Sequence, residues 1–217
     1  MKNKKVKKKN LLIIGGTGFI GYHCFKFAKK FDWRYTSVSK NYPNKNRKVK
    51  KVSYLKLDVN NQDEVKKKLN KDYTHIINLL GSSNKVFEKK NKKLIDKTHL
   101  NSSKNIINFF ANKKIHRFIQ IGSAAEYGQI KIPHKENIKC LPKSDYGRAK
   151  LKVTKHLLDL FNKRSFNVTV VRLFQVYGEK QNQDKIIPYV LKNCQANKKF
   201  KLTKKNQTRD FCYIGDV

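Results

Sequence analysis

The stretch that decides the fold is NLLIIGGTGFIG, residues 10–21. Its apolar start predicts a buried strand, and FIGYHCFKFAKKF from residue 19 predicts a helix. Gly15, Gly18 and Gly21 lie where strand passes into helix. In a nucleotide-binding turn the first glycine permits the turn, the second lets the backbone approach a pyrophosphate, and the third lets helix and strand pack closely. A tight turn without a ligand fits the same pattern, so both interpretations stay open at this point.

The charge of the chain is strongly positive. It has 217 residues, with 51 Lys and Arg against 15 Asp and Glu, and a formal net charge of +36. Such a charge often indicates nucleic acid or an anionic membrane as the partner. Here, however, lysines occur in almost every predicted loop and on almost every outer helix face. We therefore expect a solvated lysine surface rather than a dedicated nucleic-acid face.

Neither export nor metal binding is indicated. Residues 1–9, MKNKKVKKK, are predicted to be a basic tail, and they lack the long apolar region of a secretory signal. No apolar run reaches the length needed to span a bilayer. The four cysteines are widely spaced and fit neither a CxxC pair nor a zinc pattern, so we expect free thiols and no metal site. The prediction is a soluble, cytoplasmic protein.

Short apolar runs alternate with longer amphipathic segments along the chain. This alternation is typical of βαβ units, and near-continuous apolar strands indicate a sheet covered on both faces. The predicted fold is a Rossmann-type, doubly wound α/β domain with a parallel sheet and helices on both faces. Strands are predicted at residues 10–15, 33–39, 52–57, 75–80, 117–122 and 167–174, and helices at 19–31, 62–70, about 91–112 and 145–163.

The pattern loosens after Tyr177. A helix containing a proline is predicted at residues 184–197, and a short extended piece at 200–203. The final RDFCYIGDV resembles a strand entering a helix. This part of the chain is therefore predicted to lie outside the main sheet.

Three residues further along the chain could carry chemistry. Tyr146 and Lys150 in YGRAK are four residues apart, so on a helix they lie on one face. An ammonium so close favours the tyrosinate, and the phenol could then exchange a proton with a sugar hydroxyl. Ser123 directly follows a predicted strand, where open α/β sheets place their ligand groups. The alternatives are a surface tyrosine beside one of many lysines, and a serine that merely ends a strand.

Seven segments, taken in order, make the sequence resemble the extended short-chain dehydrogenase/reductase family, in its nucleotide-sugar epimerase, dehydratase and reductase branch. The resemblance runs from Asn10 onwards, and it implies an NAD(P)-binding domain over residues 10–177. It also implies a partial substrate-binding lobe with the last strand over 178–217, truncated because members of the branch continue well beyond this point. The segments are GGTGFIG, LDVNN, NLLG, IGSAAEYG, PKSDYGRAK, VVRLFQVYG and TRDFCYIGD.

The resemblance implies a role for each matching residue. Tyr146 would be the acid/base, Lys150 would lower its pKa and hold the nicotinamide ribose, and Ser123 would orient the substrate oxygen. Arg209 would bind the diphosphate of a nucleotide sugar, with a structural salt bridge as the alternative. A homodimer built on residues 91–112 and 145–163 is also implied. Cofactor contacts are implied for Gly15, Gly18, Phe19, Ile20 and Gly21 at the phosphates, Asp58 and Val59 at the adenine, and Leu80 and Gly81 further along.

Departures from the family pattern narrow the reaction. Ala124 and Ala125 stand where dehydratases carry an Asp-Glu pair, and neither can move a proton. We therefore predict an NAD(P)-dependent nucleotide-sugar epimerase or keto-sugar reductase, acting by hydride transfer with a tyrosine acid/base. Gln175, near the substrate, and His99, on a predicted helix, take places that the family usually gives to Asn. The competing hypotheses are a non-catalytic dinucleotide-binding or RNA-associated relative and a truncated, inactive fragment.

The end of the second predicted strand bears on the cofactor. TSVSKN offers Ser39 and Lys40 where an acidic residue would bind the ribose 2′-OH of NAD. A hydroxyl and a cation there could accept the 2′-phosphate of NADP. The predicted cofactor is thus NAD or NADP, with NADP favoured.

Overall fold

The computed structural model describes residues 8–81, 92–130, 132–202 and 208–217. The predicted basic tail lies outside the described residues except for Lys8 and Lys9. Both of these lysines are exposed and lead directly into the first strand.

Six parallel strands form the central sheet, as predicted. Their spatial order is β3-β2-β1-β4-β5-β6, so the chain starts in the middle of the sheet and reverses direction between β1 and β4. In open sheets of this kind, ligands bind beyond the carboxyl ends of the strands at the reversal point. The strands are β1 (Asn10–Ile14), β2 (Arg34–Ser39), β3 (Val52–Lys56), β4 (His75–Asn78), β5 (Arg117–Ile121) and β6 (Val168–Val171).

Helices cover both faces of this sheet, again as predicted. Because side chains alternate along a strand, Leu12 and Ile14 of β1 enter the larger apolar cluster, whereas Leu11 and Ile13 enter the smaller one. The first α-helix packs in the smaller cluster, and the second, fourth and fifth pack in the larger. The helices are α1 (Phe19–Ala28), α2 (Gln62–Lys68), α3 (Lys92–Ile95), α4 (Ser102–Ala111), α5 (Asp145–Arg164) and α6 (Ile186–Gln195).

The helix predicted at about residues 91–112 is not uniform. Its described part consists of α3, a π-helical turn at Asp96–Asn101, and α4. Residue 91 lies outside the described residues. A π-helical turn accommodates an extra residue and commonly marks a functional position. Here it carries His99, which is buried.

The sixth predicted strand, residues 167–174, is too long. The chain leaves the main sheet after Val171, and a separate parallel pair forms between β7 (Gln175–Tyr177) and β8 (Phe211–Tyr213). Arg172 explains the break, because its side chain turns towards a buried carboxylate instead of the apolar core. The short piece expected at 200–203 forms no regular strand at 200–202, and residue 203 is outside the described residues. The final segment is β8 followed by a 3-10 helix, Ile214–Asp216.

Candidate active site

The glycine turn between β1 and α1 has the conformation that the sequence predicts. Gly15 has a φ of +80°, in the left-handed region that favours glycine, and its N–H donates to the Val38 carbonyl (2.7 Å). A Cβ on Gly21 would lie 2.5 Å from the Gly16 Cα, so only glycine allows this approach of helix and turn. Gly18 is the N-cap of α1 and offers no capping side chain.

This turn fits a dinucleotide phosphate. The first N–H groups of a helix have no partner within the helix, and its positive dipole end favours an anion. Because Gly18 cannot cap them, these groups at the start of α1 are left for a ligand. Phe19 and Ile20, the first helical residues, are both partly exposed at this end. The pyrophosphate of a nicotinamide dinucleotide would be held here.

Ser39, at the end of β2, supports the same turn. Its hydroxyl oxygen accepts the Thr17 N–H (3.3 Å) and its O–H donates to the Val38 carbonyl (2.7 Å). The hydroxyl that was expected to face a 2′-phosphate therefore already makes two hydrogen bonds within the protein. The sequence contained no sign of this second role.

Lys40 and Asp58 face each other beyond the ends of β2 and β3. The Lys40 Nζ lies 3.0 Å from the Asp58 Oδ2, and both side chains are well exposed. Burial would raise the pKa of Asp58, but hydrogen bonds from Asn60 and from Lys40 lower it overall. Asp58 is thus an anion that pairs with Lys40 at the protein surface. Val59, the next residue, is buried and its carbonyl accepts from Asn105 (3.2 Å).

Lys150 lies between the ends of β4 and β5. Its Nζ donates to the Leu80 carbonyl (3.1 Å) and to the Ile121 carbonyl (3.0 Å), and only 5% of the residue is exposed. Burial lowers the pKa of Lys150 to about 8, although the charge of Glu126 opposes the change. Among so many solvated lysines, this one is buried at the position where β4 and β5 deliver their carboxyl ends.

His99 packs against the candidate acid/base. The rings of His99 and Tyr146 meet edge to face, with centroids 4.9 Å apart. On its other side His99 faces Gly81, where a Cβ would lie 2.7 Å from the imidazole Nδ1. Burial, and then the charge of Lys150, lower the pKa of His99 to about 4, so the imidazole is neutral at physiological pH. His99, which takes the place of the family's usual Asn, is therefore an uncharged ring packed beside Tyr146.

Ser123 begins a 3-10 helix, Ala124–Glu126, directly after β5. Its N–H donates to the Glu126 Oε1 (2.8 Å) and its hydroxyl oxygen accepts the Ala125 N–H (3.2 Å), which together form a capping box. A Cβ on Gly147 would lie 2.4 Å from the Ala125 carbonyl, so α5 begins directly against this turn. Since Gly147 adjoins Tyr146, the fold brings Ser123, Tyr146 and Lys150 to one edge of the sheet.

Glu126 was missed in the sequence. It is fully buried, and its Oε2 accepts from the Thr154 hydroxyl (2.7 Å) and from the Arg172 Nε (3.0 Å). A signal was available, because Ser-x-x-Glu at 123–126 is the capping-box pattern.

A buried amide pair was also missed. The Asn78 side-chain N–H donates to the Gln120 Oε1 (2.8 Å), and the Asn78 Oδ1 accepts the Leu80 N–H (3.1 Å). This pair joins the ends of β4 and β5 and orients the turn that Lys150 contacts. No spacing rule distinguishes these amides from others in so asparagine-rich a chain.

Two of the three residues predicted to bind substrate, Gln175 and Arg209, lie at or next to the β7–β8 pair, whereas Ser123 lies after β5. The Gln175 N–H donates to the Asp210 carbonyl (3.1 Å), which places Gln175 beside the residue that follows Arg209. Both predicted residues are exposed. A cavity of about 470 Å³ opens beside them, and Arg172, Phe174 and Asp210 contribute to its lining.

Other candidate sites receive no support from the described residues. All four cysteines, Cys24, Cys140, Cys194 and Cys212, are free thiols. Within residues 8–81, 92–130, 132–202 and 208–217, no three His, Cys, Asp or Glu side chains are grouped so that they could hold a metal ion. In the same ranges no helix combines the length and the apolar character needed to cross a membrane.

Comparison with known proteins identifies the family. The model of the NAD dependent epimerase/dehydratase family matches residues 11–217. The chain belongs to this family. Its members include the extended short-chain dehydrogenase/reductases to which the seven sequence segments pointed, so that prediction is confirmed.

Relatives within the NAD dependent epimerase/dehydratase family include both kinds of enzyme in its name. A putative UDP-glucose 4-epimerase of Methanocaldococcus jannaschii is 27% identical over 217 residues, covering 95% of this chain and 70% of its own. A dTDP-D-glucose 4,6-dehydratase of Dictyostelium discoideum is 30% identical over 248 residues, covering 95% and 53%. The crystal structure of a Bacillus cereus UDP-glucuronic acid 4-epimerase variant, solved with NAD and a fluorinated sugar nucleotide, has the same fold. It superposes with a TM-score of 0.85 at 21% identity, covering 96% of this chain and 70% of that one.

Proposed function

We propose that the protein is an NAD(P)-dependent nucleotide-sugar epimerase or keto-sugar reductase. The observation that carries the proposal is the position of Lys150, buried between the ends of β4 and β5 and one helical turn from Tyr146. Burying a cation costs free energy, so a buried lysine with a strongly lowered pKa indicates a functional site. In this family the same face of the helix serves the nicotinamide ribose and the acid/base.

The residues of this chain would divide the work as follows. The bound nicotinamide supplies hydride transfer at the sugar ring. Tyr146 exchanges a proton with the sugar oxygen, and the nearby Lys150 favours the tyrosinate. Ser123 donates a hydrogen bond that orients the same oxygen, while Arg209 and Gln175 bind the rest of the nucleotide sugar. Neutral His99 excludes water from one side of the Tyr146 ring.

Epimerisation or reduction is favoured over dehydration. Ala124 and Ala125 follow Ser123 in the 3-10 helix and have no group that could transfer a proton. Glu126 does carry a carboxylate, but both of its oxygens are engaged in buried contacts. The epimerase name of the M. jannaschii relative agrees with this choice, whereas the Dictyostelium relative is named a dehydratase. The convergence of Ser123, Tyr146 and Lys150 argues against a non-catalytic relative.

The test is turnover by the purified chain. UDP-, GDP-, CDP- and dTDP-sugars are supplied with NAD or NADP, and products are followed by NMR. An epimerase forms a new sugar without net change in cofactor absorbance, whereas a reductase consumes reduced cofactor. Tyr146→Phe should abolish turnover and leave cofactor affinity within about twofold, while the exposed Tyr42→Phe serves as the control. Normal turnover by Tyr146→Phe would contradict the assigned role.

For the cofactor, we propose that Lys40 is the residue that accepts a 2′-phosphate. Its pair with Asp58 is exposed, and such pairs contribute little, so a phosphate could replace the carboxylate. Ser39 is less suited, because its hydroxyl is engaged by the glycine turn. Lys40→Ala should weaken NADP binding about tenfold and leave NAD binding unchanged, with the exposed Lys29→Ala as control. An equal effect on both cofactors would remove the preference for NADP.

We also propose a homodimer in the cytoplasm. The outer face of α5 exposes Leu158 and Phe161, at 49% and 52%, and α4, which the His156–Asn108 hydrogen bond joins to α5, carries the partly buried Phe109. Two apolar side chains one turn apart on a helix suit a helix-to-helix contact between copies. Phe161→Glu should convert a dimer to a monomer in sedimentation, and an unchanged mass would exclude this face. The four free thiols fit a reducing compartment.

A further inference from the structure

Glu126 is a fully buried carboxylate that three separate elements share. Its Oε1 accepts the Ser123 N–H at the end of β5. Its Oε2 accepts the Thr154 hydroxyl from α5 and the Arg172 Nε from the end of β6. The Arg172 Nη1 continues to the Glu136 carbonyl (3.2 Å), and its guanidinium lies over the Tyr127 ring. Both oxygens of the Glu126 carboxylate therefore accept hydrogen bonds within the protein.

These contacts join the Ser123 turn to helix α5, which carries Tyr146 and Lys150. Tyr146, Lys150 and Thr154 are spaced by four residues and so lie in one row along α5. Thr154, the last of the three, donates a hydrogen bond from its hydroxyl to the Glu126 carboxylate of the Ser123 turn. A hydrogen bond to an ionised acceptor is stronger and better directed than one to a neutral acceptor. One carboxylate thus connects the Ser123 turn directly to the helix that carries Tyr146 and Lys150.

The position of Ser123 relative to Tyr146 and Lys150 must be precise for catalysis. Catalytic groups need to be held to within a fraction of an ångström, by neighbours that are themselves fixed. Ser123 is the N-cap of a 3-10 helix of only three residues, Ala124–Glu126, and so short a helix does not by itself fix the position of its N-cap. Removing one member of a buried charged pair leaves the other uncompensated, so the network is either complete or strongly perturbed.

We propose that Glu126 is a positioning residue, which holds Ser123 in register with Tyr146 and Lys150 through Thr154 and Arg172. It does not itself meet the substrate. The inference rests on the proposed function for its catalytic consequence, whereas its structural consequence can be measured on the chain alone.

The first experiment measures hydrogen exchange of the Ser123 amide in the cofactor-free protein by NMR. Glu126→Gln keeps the shape of the side chain but removes its charge. We expect the Ser123 N–H to exchange about tenfold faster, while amides of the β1 core such as Ile13 are unchanged. Thr154→Val, which removes only the hydroxyl, should give a smaller increase at the same amide. Unchanged exchange at Ser123 in both variants would overturn the proposal.

The second experiment is a double-mutant cycle on turnover, using the nucleotide sugar that the substrate screen identifies. Glu126→Gln should lower kcat about tenfold with KM within twofold, and should cost less than twofold in a Ser123→Ala background. An equal loss in both backgrounds would mean that Glu126 is only a structural support, and would refute the proposal. If Glu126→Gln does not fold, Thr154→Val takes its place in the cycle.

The two experiments separate this inference from the proposed function. If the native chain turns over no sugar nucleotide, the proposed function fails and the exchange experiment decides the positioning role alone. If turnover is found but the cycle is additive, the proposed function stands and the role of Glu126 falls.

Discussion

Replacing Lys150 with Met should change how the stability of the cofactor-free protein depends on pH. The Lys150 ammonium is buried, and burial lowers its pKa from an ordinary 10.5 to about 8. Below pH 8 the folded protein must carry this buried charge. Between pH 8 and 10.5 the folded protein has released the proton while the unfolded chain still binds it. Stability must therefore rise with pH across this window.

The size of the effect follows from the difference of about 2.5 between the two pKa values. Each pKa unit corresponds to about 1.4 kcal/mol, so the free energy of unfolding should rise by roughly 3 kcal/mol between pH 7 and 10.5 because of this one residue. Met has a similar length and no charge at any pH. The difference between the free energies of unfolding of the native protein and of Lys150→Met should show this rise with pH. Contributions from the other lysines cancel in that difference.

Urea unfolding followed by circular dichroism, at about one-unit steps of pH, gives the required free energies. Lys152→Met, at an exposed position on the same helix, controls for the exchange of a lysine for a thioether. A difference curve that is flat, or that falls as the pH rises, would show that Lys150 is not a buried cation.

Two other predictions concern the glycine turn and His99. Gly21→Ala should lower the free energy of unfolding by about 1–3 kcal/mol and weaken cofactor binding, because its Cβ would lie 2.5 Å from the Gly16 Cα; unchanged thermal unfolding would contradict this close approach. His99→Asn should make the protein less sensitive to acid. The native His99 stays neutral down to about pH 4 while the unfolded histidine binds a proton below its ordinary 6.5, so native stability should fall by roughly 3 kcal/mol between these values. Urea unfolding at about pH 7, 5.5 and 4 tests this, and parallel losses in both proteins would refute it.

The central sheet was predictable because burial on both faces leaves a simple record in the sequence. The run LLII has no polar face, and the glycine turn connects the first strand to its helix. Where a polar side chain determines the course of the backbone, the apolar pattern no longer predicts the structure. The end of β6 was missed because Arg172 forms an ion pair with Glu126 instead of entering the apolar core. The π-helical turn around His99 was missed because it does not change the spacing of apolar residues in a recognisable way.

The candidate site was partly predictable for a related reason. Ser123, Tyr146 and Lys150 were identified by their order and spacing, and the fold does place them at one edge. Their supports were not found, since Thr154 and Asn78 act across elements that are distant in the sequence. Glu126 had a local signal, the Ser-x-x-Glu pattern, but its contacts with Thr154 and Arg172 are equally distant. The position of Ser39 shows the converse. Its location was predicted, but its hydrogen bonds depend on how the turn between β1 and α1 folds against β2.

The hydrogen bonds of Ser39 affect any attempt to change the cofactor preference by mutation. Placing a carboxylate at the end of β2, where it could bind the ribose 2′-OH of NAD, would replace a residue that supports the glycine turn. An introduced Asp could accept a hydrogen bond from the Thr17 N–H, but its carboxylate could not donate the hydrogen bond that Ser39 now donates to the Val38 carbonyl. The same carbonyl holds the Gly15 N–H. A carboxylate introduced at Ser39 would therefore also disturb the glycine turn, and a second substitution would be needed to restore its shape.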